Sequence, residues 1–163
     1  MISRMYSIFF GILLLVSTPA YSLEVIEILG GAASEIPIAI VPFEGSEKIS
    51  KQKSHQIISS DLNRTGLFRP LNTGGIFNPP SSDININYTK WSAMDAQFIV
   101  VGKVESENPI SGNIKITWSL IDIFKEKTVV SMRYIGKKSQ YRAIAHKVSD
   151  NVYEHLTGSK GVF

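Results

Sequence analysis

Ile114-Lys115-Ile116-Thr117-Trp118-Ser119-Leu120 is the clearest structural signal in this 163-residue chain. Apolar and polar side chains alternate along it, which is typical of a strand with one face on a hydrophobic core. A second alternating run, Val130 to Tyr134, follows the turn residues Lys125-Glu126. The unbroken apolar run Phe98 to Val101 precedes both and is typical of a central strand buried on both faces. Together the three runs predict an antiparallel meander over residues 98–135.

The rest of the chain alternates between strand and helix signals. Strands are predicted over 23–29, 36–43 and 67–71, helices over 47–63, 89–93 and 139–156, and a loop over 72–87. The last helix carries an apolar stripe that includes Tyr141, Ile144 and Val148, and Gly158 is placed to cap it. This order predicts an α/β (α+β) fold, a mixed β-sheet packed against two or three helices.

The first 22 residues have the pattern of a secretory signal peptide. Arg4 precedes the apolar run Ile8 to Val16, and the small residues Ala20 and Ser22 precede a cleavage position before Leu23. The apolar run is about half the ~20 residues that cross a bilayer. We therefore expect export, cleavage, no membrane insertion afterwards, and one domain over residues 23–163.

The composition of the chain argues against several classes of function. The formal net charge is +3, and the charges are interspersed rather than grouped in a basic stripe, so nucleic-acid binding is not expected. There is no cysteine, which excludes disulfides and thiol catalysis. No phosphate-binding loop, nucleophile elbow or metalloprotease motif is present.

The best candidate metal ligands are His146, Asp150 and Glu154, which are spaced four apart and so share one helix face. Because this face lies away from Val148 and Val152, a solvated polar stripe is the favoured interpretation. A periplasmic metal-binding or hydrolytic domain remains the alternative function. We expect no enzyme activity and no cofactor.

Five segments, taken in order, resemble the TolB amino-terminal domain of the Tol-Pal system. They are Glu24–Ile28, Pro37–Phe43, Ile58–Phe68, Trp91 leading to Val100–Val104, and Ala145–Gly158 running on to Lys160–Phe163. The last segment is the most specific. The five segments span nearly all of the chain after the predicted signal peptide.

The resemblance implies a periplasmic protein-interaction component that maintains the outer membrane and assists envelope constriction at division. In the family the leading segment binds TolA, and the matching residues are Leu23, Glu24, Val25, Ile26, Glu27, Ile28 and Leu29. A strand with free main-chain groups can extend a partner's sheet. The same residues forming a strand in their own sheet is the open alternative, and the two arrangements could alternate.

The resemblance stops at Phe163, whereas the family continues into a β-propeller that carries the site for the lipoprotein Pal. Pal binding is therefore not carried over to these residues. A truncated, a split and a stand-alone form of the family protein all fit the sequence.

Overall fold

The computed structural model describes residues 34–50, 53–108, 112–161 and 163. Their regular elements, in chain order, are β1 (Ile36–Ile40), α1 (Ser46–Ile49), α2 (Ser54–Arg64), β2 (Phe68–Pro70), α3 (Tyr88–Ala93), β3 (Phe98–Asn108), β4 (Asn113–Asp122), β5 (Lys127–Lys137), a 3₁₀ turn (Lys138–Gln140) and α4 (Tyr141–Thr157). The predicted signal peptide and the predicted strand Leu23–Leu29 lie outside these ranges.

The five described strands form one mixed sheet in the order β2-β1-β3-β4-β5. β1 pairs in parallel with both β2 and β3, with Ile38 opposite Phe98. β3, β4 and β5 then pair antiparallel as a meander, with Gly102 opposite Trp118 and Trp118 opposite Met132. The parallel half therefore has helical connections, whereas the antiparallel strands follow one another after only four residues each.

Each face of the sheet carries its own hydrophobic core. On one face α2 and α4 cover the centre of the sheet, and Ile38, Ile40, Val100, Ile116 and Trp118 meet their apolar stripes. On the other face α3 and the loop before it cover a smaller core. That core contains Ala39, Val41, Ile86, Trp91, Ala96, Ile99, Val101, Ile121 and Ile123.

Most sequence-based expectations are confirmed. The mixed sheet, the meander, the loop after β2 and the final helix all occur where they are predicted. Gly158 ends α4 in the left-handed conformation, with φ of 73°. Trp91 and Trp118 are core residues, each 1% exposed. No described helix has the length and apolarity needed to cross a bilayer.

The prediction of one continuous helix over residues 47–63 is wrong. The structure has two helices there, α1 and α2, because Ser50 and Lys53 both have extended backbones. The short α1 packs against β3, where the Glu44 amide donates to the Gly102 carbonyl oxygen. α1 therefore ends at Ile49, and α2 starts separately at Ser54.

Gly45 immediately precedes α1 and lies close to β3. Its φ is +75°, and an added Cβ would lie 2.4 Å from the Val104 carbonyl oxygen. Gly66, at the end of α2, has φ of +69° and nothing within 4 Å of an added Cβ. Both glycines therefore have a left-handed backbone that other residues rarely adopt. Only at Gly45 would a side chain also overlap a neighbouring atom.

We predict that Gly66→Ala lowers the free energy of unfolding by about 1 kcal/mol from backbone strain alone. Gly45→Ala adds a steric overlap with β3, and the expected total loss is about 3 kcal/mol. Urea unfolding followed by circular dichroism measures both variants. Equal losses in the two would contradict the close approach of the chain to β3.

Candidate functional site

A buried carboxylate joins the two helices that cover the larger core. Asp61 on α2 is 2% exposed and accepts hydrogen bonds from three side chains. Arg64 Nη2 lies 2.6 Å from its Oδ1, while His146 Nδ1 and Ser149 Oγ on α4 lie 2.7 and 2.8 Å from its Oδ2. We call Asp61, Arg64, His146 and Ser149 the Asp61 cluster.

The amphipathic pattern of α2 places Asp61 in this position. Ile58 and Leu62 on the same helix are fully buried against the sheet, and Asp61 lies beside them on the face that meets α4. A carboxylate removed from water is costly unless it is paired and hydrogen-bonded. α4 supplies two of the partners, so the pairing ties the two helices together in one register.

The cluster also fixes the orientation of the His146 ring. An ionised carboxylate can only accept hydrogen bonds, so Nδ1 of His146 carries the proton that it shares with Asp61. Nε2 is then the ring nitrogen left for other contacts. The ring lines an open cleft between α2 and α4.

The Asp61 cluster does not have the geometry of a hydrolytic triad. In a triad the histidine lies between the nucleophile and the carboxylate. Here Asp61 is central, and Ser149 bonds directly to Asp61 and to the Ala145 carbonyl oxygen. Ser149 is also completely buried, so its hydroxyl is closed to a substrate.

The three candidate metal ligands do not converge. His146 binds Asp61, and Asp150 Oδ1 instead accepts the Phe163 amide at 3.0 Å. Glu154 is exposed. Within the described ranges no group of three His, Asp or Glu side chains has metal-binding spacing. The interpretation of a simply solvated stripe is corrected for His146 and Asp150, because each makes a tertiary contact.

A second cleft lies at the carboxyl end of β2. It has a volume of about 520 Å³ and is lined by the first two turns of α2 and by Leu71–Gly74. His55 lines this cleft, and its Nδ1 is buried with no hydrogen-bond partner in the described part of the chain. Burial lowers the pKa of His55, and the nearby charge of Lys53 lowers it further. Both effects favour the neutral form of the His55 ring.

The predicted docking segment Leu23–Leu29 lies outside the described residues, which begin at Ser34. The outer strands of the described sheet are β2 and β5. β2 has three residues and ends in Pro70, which has no amide hydrogen to donate. β5 has eleven residues and is the longer edge for strand addition.

The sequence patterns indicated no role for Asp61 or Ser149. The available signal was a charged residue on the apolar face of α2, between Ile58 and Leu62. A lone carboxylate in such a stripe indicates a buried partner elsewhere. The partner itself is 88 positions further along the chain, too far for any local pattern to identify.

The chain is similar to a known family of proteins. The family model of the TolB amino-terminal domain matches residues 24–129. The Tol-Pal system protein TolB of Methylobacillus flagellatus is 40% identical over 98% of this chain, which covers 38% of that protein. TolB of Nitrosospira multiformis is 38% identical over 91% of the chain, covering 33% of that protein.

A solved structure shows the same fold. The crystal structure of TolB from Acinetobacter baumannii superposes with a TM-score of 0.64 at 25% sequence identity, over 78% of this chain and 30% of that one. The present chain thus spans between 30% and 38% of the length of these three TolB proteins.

We predict that Asp61→Ala lowers the free energy of unfolding by about 3 kcal/mol, because it removes the acceptor that His146 and Ser149 share across the helix interface. Glu154→Ala is the matched control on the exposed face of α4, with an expected change within about 0.5 kcal/mol. Urea denaturation measures both. Similar losses for the two variants would show that Asp61 does not join the helices.

The environment of His55 predicts an acid-sensitive contribution to stability. Its folded pKa lies below the ordinary value of 6.5, so the unfolded chain binds the proton more tightly. His55 therefore destabilises the fold progressively as the pH falls below 6.5. A proton NMR titration should give His55 a pKa below 6.5, and His55→Gln should reduce the loss of stability in acid. A measured pKa at or above the ordinary value would contradict the burial.

Proposed function

The chain belongs to the TolB amino-terminal domain family, and on this premise we propose that it is a periplasmic protein-interaction component of the Tol-Pal system. In this role it acts by contact and not by catalysis. It helps to maintain the outer membrane and assists envelope constriction at division. The observation that carries the proposal is the family match over residues 24–129, which includes most of the predicted docking segment.

The docking surface is the segment Leu23–Leu29, and its partner is TolA. The segment has the composition of an edge strand, with three internal apolar residues, Val25, Ile26 and Ile28, between and beside two glutamates. Main-chain hydrogen bonds contribute only about 1 kcal/mol each after solvent exchange. Ordering the segment and joining two molecules offsets most of that gain. The apolar side chains must therefore contribute by packing on the partner.

The pairing of the described strands supports this arrangement. All five described strands pair with one another within residues 36–137, and β1 lies inside the sheet with neighbours on both sides. Docking of the segment on a partner therefore requires no described strand to unpair.

The geometry of the described polar residues favours contact over chemistry. In the Asp61 cluster the serine hydroxyl is buried, and His146 Nδ1 is occupied by the carboxylate. These side chains stabilise the interface between α2 and α4, which is a structural task. Pal binding belongs to a β-propeller in the family, so we do not assign it to these residues.

We predict that deleting residues 23–29 from the mature protein abolishes binding to TolA in titration calorimetry, because the added strand is lost. The melting temperature should change little, since the described strands pair without it. Ile26→Pro tests the same point without shortening the chain, because it removes one amide donor and should weaken binding about tenfold.

Unchanged TolA binding by the deletion variant would reject the segment as the docking surface. A large fall in the melting temperature would instead place residues 23–29 within the protein's own sheet. Glu126→Ala in the exposed turn between β4 and β5 serves as the control and should change neither quantity.

A further inference from the structure

The cleft between α2 and α4 has a basic lining. Its volume is about 280 Å³, and eight residues from the two helices and the segment before α2 line it. They are Lys53, Gln56, Ile57, Ser60, Asp61, Arg64, Arg142 and His146. Three of these side chains are permanent cations, whereas Asp61 is the single acid in the set.

The one acid does not neutralise the cleft. Asp61 is buried, and its carboxylate is already bound by Arg64, His146 and Ser149. Lys53 and Arg142 have no ion-pair partner within the ranges that the structure describes. Counted over Lys53, Arg64, Arg142 and Asp61, the lining therefore carries an excess of two positive charges.

Two polar groups of the cleft, Arg64 and His146, are oriented before any ligand arrives. Arg64 contacts Asp61 through Nη2 alone, at 2.6 Å, and its side chain is 66% exposed, so other guanidinium N–H groups remain free. Nδ1 of His146 is held by Asp61, which leaves Nε2 for a further contact. Arg142 lies one helical turn before His146, just as Ser60 lies one turn before Arg64. Groups that are already fixed lose less entropy on binding.

We propose that this cleft binds carboxylate groups, presented by a small dicarboxylic acid or by adjacent acidic side chains of a polypeptide. The planar guanidinium forks of Arg64 and Arg142 match the geometry of a carboxylate. The excess of two charges matches two carboxylates. The volume lies at the small end of ligand pockets, which suits a short acid.

The open position of the cleft sets the strength of the interaction. Arg64 is largely exposed, so its ion pairs are screened by salt. Binding is therefore weak and falls steeply as ionic strength rises. This site is separate from residues 23–29, and its test uses no TolA.

The test is an NMR titration of the isotopically labelled mature chain at low ionic strength. Glutarate represents the free acid, and acetyl-Glu-Glu-amide represents the polypeptide. Amide signals of α2 and of the first half of α4 should shift with at least one probe. Arg142→Glu and Lys53→Glu, placed on opposite walls of the cleft, should each weaken that binding about tenfold or more.

Lys125→Glu is the matched control, because it makes the same change of net charge in the exposed turn between β4 and β5. It should leave the affinity unchanged, and melting curves should show all three variants folded. Shifts with glutarate alone identify a free acid as the ligand, and shifts with the peptide alone identify an acidic polypeptide. The proposal is overturned by no shift with either probe at tens of millimolar, or by equal weakening in the control and cleft variants.

Discussion

The central pair of strands, β1 and β3, must bury both of its faces, and the rest of the architecture depends on this constraint. Ile38, Ile40 and Val100 point to the core under α2 and α4, while Ala39 and Ile99 point to the core under α3. Neither face of this pair can stay exposed to water, because each carries a continuous apolar surface. Helices are therefore needed on both sides of this pair, and β2 and β5 are the edge strands of the described sheet.

The helices α2 and α4 that cover the larger core are held in register by a polar contact as well as by apolar packing. Asp61 binds both His146 and Ser149 across the helix interface, and a one-turn slip of α4 would leave this buried carboxylate without those partners. The same contact turns His146 and Arg64 toward the open cleft. A structural requirement of the core thus positions two of the side chains that line the cleft.

Much of the fold can be predicted from the sequence, since short-range patterns encode it. The alternation of apolar and polar residues over 114–120 and the apolar stripe on α4 each indicate which side chains face a core. The break between α1 and α2 escapes prediction, because no proline or glycine stands at residues 50–53 to indicate it. Asp61 escapes because its partners are far along the chain. The docking segment is predicted only by family resemblance, and it precedes the described residues.

The central claim is that the leading segment is free in the isolated protein and becomes a strand on its partner. Hydrogen exchange at the amides of residues 24–29, measured with and without TolA, tests it most directly. The account predicts rapid exchange in the isolated chain and strong protection in the complex, with the amides of β1 and β3 protected in both. Equal protection of residues 24–29 in the two states would contradict it, because the segment would then be a fixed part of its own domain.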